Sequence, residues 1–219
     1  YEKLPYSPKD IMQVSLLADA PAVLVARPGL AAKTLKEVIE LARSQPAKLT
    51  FGSGGEGSSA QLAMEAFLLQ NKLELVHVPF KGIAPALMEV AADRVDIAIS
   101  SVGTASAYLK DNRLLGLAVS SEKRHPNIPN VPTFTEAGFS SYKMMYWFGM
   151  MAPAGTPPAI TERMQKEIVK AVATQKVIDV FAATGVRAIA TSPATFTKMV
   201  QSETTLWSEV ITRAKIKPE

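Results

Sequence analysis

Cysteine is absent from the 219 residues, which removes disulfide scaffolds, thiolate metal sites and cysteine nucleophiles and leaves every redox compartment open. Histidine is almost absent. The two present, His77 and His125, lie far apart without any HExxH-type spacing, so no metal site is expected. The net charge is only +4, and the longest basic run is the pair Lys123-Arg124, so a nucleic-acid groove has no cluster to build on. Long apolar runs are missing as well: the uncharged stretch from Met144 to Thr161 is broken by Pro153, Pro157 and Pro158 and makes no membrane helix. No secretory signal is visible, but the chain opens on Tyr1 rather than Met. A processed or truncated start is therefore expected, and the compartment is not read from that end.

What is present is a 47% hydrophobic chain, enough for one large domain or two small lobes. Thr34 and Glu37 form a T-x-x-E capping box before Leu35, Val38, Ile39 and Ala42, and Pro46 stops that helix. Leu49 to Phe51 reads as a short strand running into a glycine loop, and Ser58 then caps a helix with Gln61 set to complete its box. Alternation continues with strands at 75–78, 95–100 and 114–120 and helices at 85–92 and 104–110. This α/β order implies a parallel sheet with right-handed crossovers and helices on both faces. Residues 121–143, with Pro126, Pro129 and Pro132, look like a connection between lobes, and Met144 to Met151 like a buried parallel strand. Thr156 is the expected cap of a helix with core stripe Ile160, Met164, Ile168 and Val172, Gly185 ends the next helix, and a last helix carries Phe196, Met199, Val200, Trp207, Val210 and Ile211. Glu203 interrupts that stripe, as a paired or interface carboxylate does.

Residues 52–57 fit G-x-G-x-x-G between a strand and a helix, so dinucleotide binding is the first reading to test. That reading needs an acid at the end of the next strand, and Glu74 lies instead at its start. A P-loop fails because no Lys-Ser or Lys-Thr follows the glycines. Free N–H groups and the dipole at the start of the Ser58 helix nonetheless suit a small anion, and Ser53, Ser58 and Ser59 crowd the same spot. The blander reading gives the glycines a tight turn and the serines a cap. Two more loops fall at strand ends: 77–82, with Phe80 and Lys81, and 100–104, with Ser100 and Ser101. His77 reads as a satisfied strand residue rather than a ligand, and no G-x-S-x-G or other nucleophile arrangement points to an enzyme.

The run Gly52 to Glu65, then His77 to Gly82 with Pro85-Ala86, resembles the Bug-type receptors of tripartite tricarboxylate transporters. The resemblance continues through Val95-Asp96, Leu117 to Ser121, Val131 to Gly138, Trp147 to Gly149, Ala152 to Pro157 and Glu203 to Trp207, and the opening Tyr1 to Pro8 with Asp10 is similar too. It implies a two-lobed, Venus-flytrap α/β fold with parallel-rich sheets flanked by helices, in an exported periplasmic protein that hands a small carboxylate to integral-membrane transporter subunits. No cofactor, metal, nucleic acid or membrane span of its own is implied. The matching ligand positions are Ser53, Gly54, Gly55, Gly57, Ser58 and Ser59, with Phe80 and Lys81 second. Receptors of this kind carry a further N-terminal segment with its own glycine-rich loop, which this chain lacks. The expectation is therefore a whole lobe over residues 25–145 and an incomplete first lobe made of 1–24 and 146–219, with the edge of Met144 to Met151 covered by an upstream segment or another chain. Alternatives are an NAD-type enzyme domain, or a transcription-regulator effector lobe with a helix-turn-helix encoded upstream.

Overall fold

The computed structural model describes residues 5–216; the similarity over Tyr1 to Leu4 lies outside them. The chain divides into two compact units, one of Tyr1–Ala20 with Tyr146–Glu209 and one of Pro21–Met145 with Val210–Glu219. Strand β1 (Ile11–Ala26) contributes to both. In the second unit follow α1 (Leu35–Ser44), β2 (Thr50–Ser53), α2 (Ser59–Asn71), β3 (Val76–Pro79), α3 (Ile83–Ala91), β4 (Ile97–Ser101), α4 (Val102–Lys110) and β5 (Leu115–Val119). The first unit adds β6 (Met145–Pro153), α5 (Pro158–Val172), α6 (Gln175–Ala183), β7 (Arg187–Ala188) and α7 (Pro193–Ala214).

The second unit's sheet has the order β3-β2-β4-β1-β5. β2 runs parallel to β3 and to β4, as the alternation predicts. β5 runs the same way, so the strands of 49–119 all point in one direction, but the sheet is mixed because β1, from upstream, lies between β4 and β5 and is antiparallel to both. β1 is the element that sequence reading misses, since Asp19 and Pro21 look like a break. Each is accommodated. Pro21 sits between the pairing of Ala18 and Asp19 with β7 and the pairing of Ala22 to Ala26 with β4, so its missing N–H interrupts neither of these two ladders. The buried Asp19 carboxylate is held by Arg187 through two contacts, Oδ1 to Nε at 3.0 Å and Oδ2 to Nη2 at 2.6 Å.

Both sheet faces are covered. Val23 and Val25 of β1 and Ala98 of β4 share a buried cluster with Leu87 and Val90 of α3 and Val102 of α4, while the alternate residues Leu24, Ile97 and Ile99 point to the other face and are equally buried. α2 packs on β2 and β4. Residues 121–144 pack on the second unit: Phe134 and Tyr142 meet Phe67 of α2 edge-on at 6.0 and 5.5 Å, and the Tyr142 hydroxyl donates to Ala63 O at 2.9 Å. Such aromatic pairs add about 0.5–1.5 kcal/mol each beyond their burial. At the starts of β2 and β4, Asp96 accepts from Thr50 N, Thr50 Oγ1 and Arg27 Nε at 2.8, 3.0 and 2.8 Å, which fixes the end of the sheet away from the glycine loop.

In the first unit, β6 and β7 pair with β1. Here several expectations fail. β6 is not buried, for Phe148 and Met150 are 53% and 38% exposed. The stripe on α5 is not core either: Ile160 is 51% exposed, and only Thr161 of that helix is buried. Pro157 rather than Thr156 occupies the cap position, and the Thr156 hydroxyl donates backwards to Pro153 O. On α7, Phe196 and Val210 are buried but Ile211 is 37% exposed, and Glu203 is paired, accepting from the Trp207 indole.

Gly116 of β5 is required by packing: a Cβ there would lie 2.3 Å from Val131 Cγ2, inside the buried cluster. Gly116→Ala should lower stability by about 1–3 kcal/mol, read as a lower urea midpoint at an unchanged slope.

Candidate functional site

Three loops leave the C-terminal ends of the adjacent strands β3, β2 and β4 and enter α3, α2 and α4. The first two are joined backbone to backbone. Phe80 N donates to Ser53 O at 3.1 Å and Gly82 N to Gly54 O at 3.2 Å. A Cβ on Gly54 would stand 3.3 Å from Ile83 N, and one on Gly55, at φ +117°, 3.2 Å from Phe80 O. These two glycines therefore serve close loop packing. Gly57, at φ +68°, faces open space and makes the turn into α2.

Ser58 caps α2 as expected, its Oγ accepting from Gln61 N at 3.3 Å. Gln61 does not complete the box. Its carboxamide reaches back to the glycine loop instead: Oε1 accepts from Gly57 N at 2.7 Å, while Nε2 faces Glu56 Oε2 at 3.1 Å and His77 Nδ1 at 3.2 Å. His77 is satisfied, as the sequence suggested, with Nε2 2.6 Å from Ser53 Oγ and its ring stacked on Phe51 at 4.7 Å. Ser53 is wholly buried and its Oγ also meets Gly55 N at 3.1 Å and Gly55 O at 3.2 Å, so this residue builds the loop and presents nothing to solvent.

Ser59 is exposed, and helix geometry leaves the N–H groups of Ser59 and Ala60 without intrahelical acceptors. Lys81 is exposed on the second loop, whereas Phe80 is half-buried against the hydrophobic cluster. On the third loop, Ser101 caps α4 and meets Thr104 Oγ1 at 2.9 Å, and Ser100 is buried and turned to the carbonyl of its own neighbour. The structure thus places Gly54, Gly55, Gly57, Ser58 and Ser59 in one loop zipped to that of Phe80 and Lys81, and sets Ser53 and Ser100 beneath the surface. Gln61 and Glu56 are the participants that sequence reasoning missed; the i, i+4 spacing of Gly57 and Gln61 was the available signal.

The profile of the tripartite tricarboxylate transporter family receptor matches residues 1–216. The chain belongs to this receptor family. It is 34% identical over 218 residues to a UPF0065 protein from the tcbD-tcbE intergenic region of Pseudomonas sp. strain P51, covering 99% of this chain and 65% of that protein. It is 30% identical over 211 residues to protein BugT of Bordetella pertussis, covering 95% and 65%. The chain thus spans 65% of the length of these relatives. Among solved structures, a Rhodopseudomonas palustris protein with adipate superposes with a TM-score of 0.88 at 29% identity, over 100% of this chain and 74% of that one. MatC of the same organism, with bound malate, gives 0.84 at 27% identity, over 95% and 72%. The periplasmic binding protein BugD also superposes, with a TM-score of 0.83 at 24% identity, and the two-lobed α/β fold with helix-flanked sheets that the resemblance implied holds. The family is one of solute-binding receptors, which favours the anion reading of the receptor's glycine loop over the dinucleotide one.

Removing the cap by Ser58→Ala should cost about 1 kcal/mol of stability. Burial lowers the pKa of both His77 and His125 from 6.5, at His77 against an opposing pull from Glu56. The unfolded chain then takes up these protons first, so stability is lost as pH falls below about 6.5 and levels off under the folded pKa. Glu65 runs the other way, since burial and then the Glu56 charge raise its carboxyl pKa. His77→Gln should make the loss of unfolding free energy between about pH 7 and 5 shallower, in urea titrations at each pH.

Proposed function

We propose that this chain is part of a periplasmic solute-binding receptor that captures a small organic carboxylate at the start of α2 and presents it, chemically unchanged, to integral-membrane transporter subunits. The observation that carries the reading is a helix start with its cap fixed by Ser58 and its Ser59 and Ala60 N–H groups uncommitted, at the strand ends of a receptor-family fold. A carboxylate suits that position because it needs two or three donors and a favourable dipole, and nothing larger. The relatives solved with adipate and malate are consistent with a dicarboxylate. We assign the ligand contacts to the Ser58 and Ser59 hydroxyls and the Ser59 and Ala60 N–H groups, with Lys81 as an outer attracting charge, and the carrying lobe to residues 25–145.

Two features weigh against a dinucleotide. The second glycine of the motif, Gly54, is covered by Gly82 and Ile83, so the bare backbone a pyrophosphate would approach is occupied by the neighbouring loop. Glu74 precedes β3, and the strand ends on Pro79, leaving no acid for a ribose. Among the described residues no group of three or more histidines and acids is placed to hold a metal, and no helix is long and apolar enough to cross a membrane.

Titration with malate, adipate, NAD and ATP should raise the unfolding temperature with a dicarboxylate and not with either nucleotide. Replacing Ser58 and Ser59 together by Ala should weaken dicarboxylate binding about tenfold, equivalent to about 1.4 kcal/mol. Stabilisation by NAD alone, unchanged affinity in the double variant, or conversion of the bound acid seen by NMR would overturn the reading.

A further inference from the structure

Beneath the glycine loop the polar groups form one chain. Gln61 Oε1 takes the Gly57 N–H, so its Nε2 is the atom that faces His77 Nδ1, and in the neutral ring Nδ1 accepts from it, with Glu56 Oε1 3.3 Å from the same nitrogen. The imidazole is then the neutral Nε2–H tautomer, donating to Ser53 Oγ at 2.6 Å. Ser53 in turn donates to Gly55 O and accepts from Gly55 N. His77 thus grips the loop at both ends, Gly55 through Ser53 and Gly57 through Gln61. The same Gln61 amide restrains Glu56, the acid of the loop, whose charge would oppose an anion at the adjoining helix start.

We infer that His77 is a positioning residue of the anion site, holding the glycine loop in its binding shape in the neutral form and releasing its Gly57 end when protonated. The inference rests on the function proposed above. A proton on Nδ1 sets donor against donor at Gln61, and Glu56 Oε1, 3.3 Å away, becomes the partner instead. Glu56 is the ionisable group that faces the ring; β2 contributes Phe51 and Ser53, and α2 contributes Gln61, none of them charged. Burial, acting against Glu56, holds the ring neutral at pH 7. Acid therefore trades the grip on Gln61, and through it on Gly57, for an ion pair with Glu56, while Nε2–H keeps its bond to Ser53; the order lost at Gly57 outweighs the relief of the Glu56 charge, and carboxylate affinity falls.

The test compares wild type, His77→Gln and His77→Phe. The glutamine retains a hydrogen-bonding amide toward Ser53 and does not titrate. The phenylalanine keeps the stack on Phe51 and loses both bonds. Malate and adipate affinities are measured from pH 7 to pH 5, the shared titration of the ligands cancelling between proteins. Wild type should lose several-fold more affinity over that range than His77→Gln, and His77→Phe should bind several-fold more weakly already at pH 7. Equal pH profiles for wild type and His77→Gln, or full affinity in His77→Phe, would overturn the inference. Amide exchange without ligand separates this outcome from failure of the receptor reading. Gly55 and Gly57 should exchange several-fold faster in His77→Phe even if neither acid binds, and unchanged protection there would by itself remove the proposed grip.

Discussion

The close approach of two backbones, Gly54 against Gly82 and Ile83, is the constraint from which the site follows. With a side chain at Gly54 the β2 loop would be pushed off the β3 loop, and the bonds from Phe80 N to Ser53 O and from Gly82 N to Gly54 O would lengthen or break. Those bonds lock the loop to a neighbouring strand end and so fix where α2 begins. A helix start binds an anion usefully only if its first N–H groups point to one place, because reordering a loop on binding costs on the order of 1–2 kcal/mol per residue. Glycine at this position removes that cost in advance.

Most of the polar groups that a sequence reader would hand to a ligand are spent on the loop itself. Ser53 and Ser100 are buried, and Gly55 and Gly57 give their N–H groups to Ser53 and Gln61. The consequence is a division of labour by depth. Buried groups define the shape of the loop, and the Ser58 and Ser59 hydroxyls with the first helical N–H groups stay at its surface. Glu56 fits the same logic, since a carboxylate beside an anion site is tolerable only when other groups restrain it.

What the sequence disclosed and what it concealed divide along physical lines. Caps and turns were legible because they are local: Thr34 with Glu37, Ser58 and Gly185 act within a few residues of themselves. The parallel pairing of β2 with β3 and β4 was legible because alternation of strand and helix forces it. β1 was not, because Pro21 and Asp19 are unfavourable in a strand by local rules and are relieved only by a gap between ladders and by Arg187, 168 residues away. The stripe of α5 was misjudged for a different reason. Periodicity shows that Ile160 and Met164 share a face, yet it does not supply the surface that buries it. Gln61 was misplaced because its amide can reach back to the N–H of either Ser58 or Gly57, one residue apart, and the contact with His77, brought in by β3, accompanies the reach to Gly57.

The network under the loop also bears on why this arrangement suits capture rather than conversion. A general base needs a lone pair aimed at the substrate, and a nucleophile needs a base beside it. The most obvious base in this region, His77, has both ring nitrogens turned inward, one to Ser53 and one to Gln61, and its face stacked on Phe51. Ser58 is engaged in capping, so its oxygen accepts from the backbone and has no base next to it. An imidazole so placed makes the loop stiff. Stiffness raises affinity by lowering the cost of ordering, and it leaves the bound acid facing only hydroxyl and amide protons, which are far too weakly acidic to be given up to a carboxylate. On the function proposed above, the chemistry of the site is limited to hydrogen bonding, which is what a protein that must release its ligand intact requires.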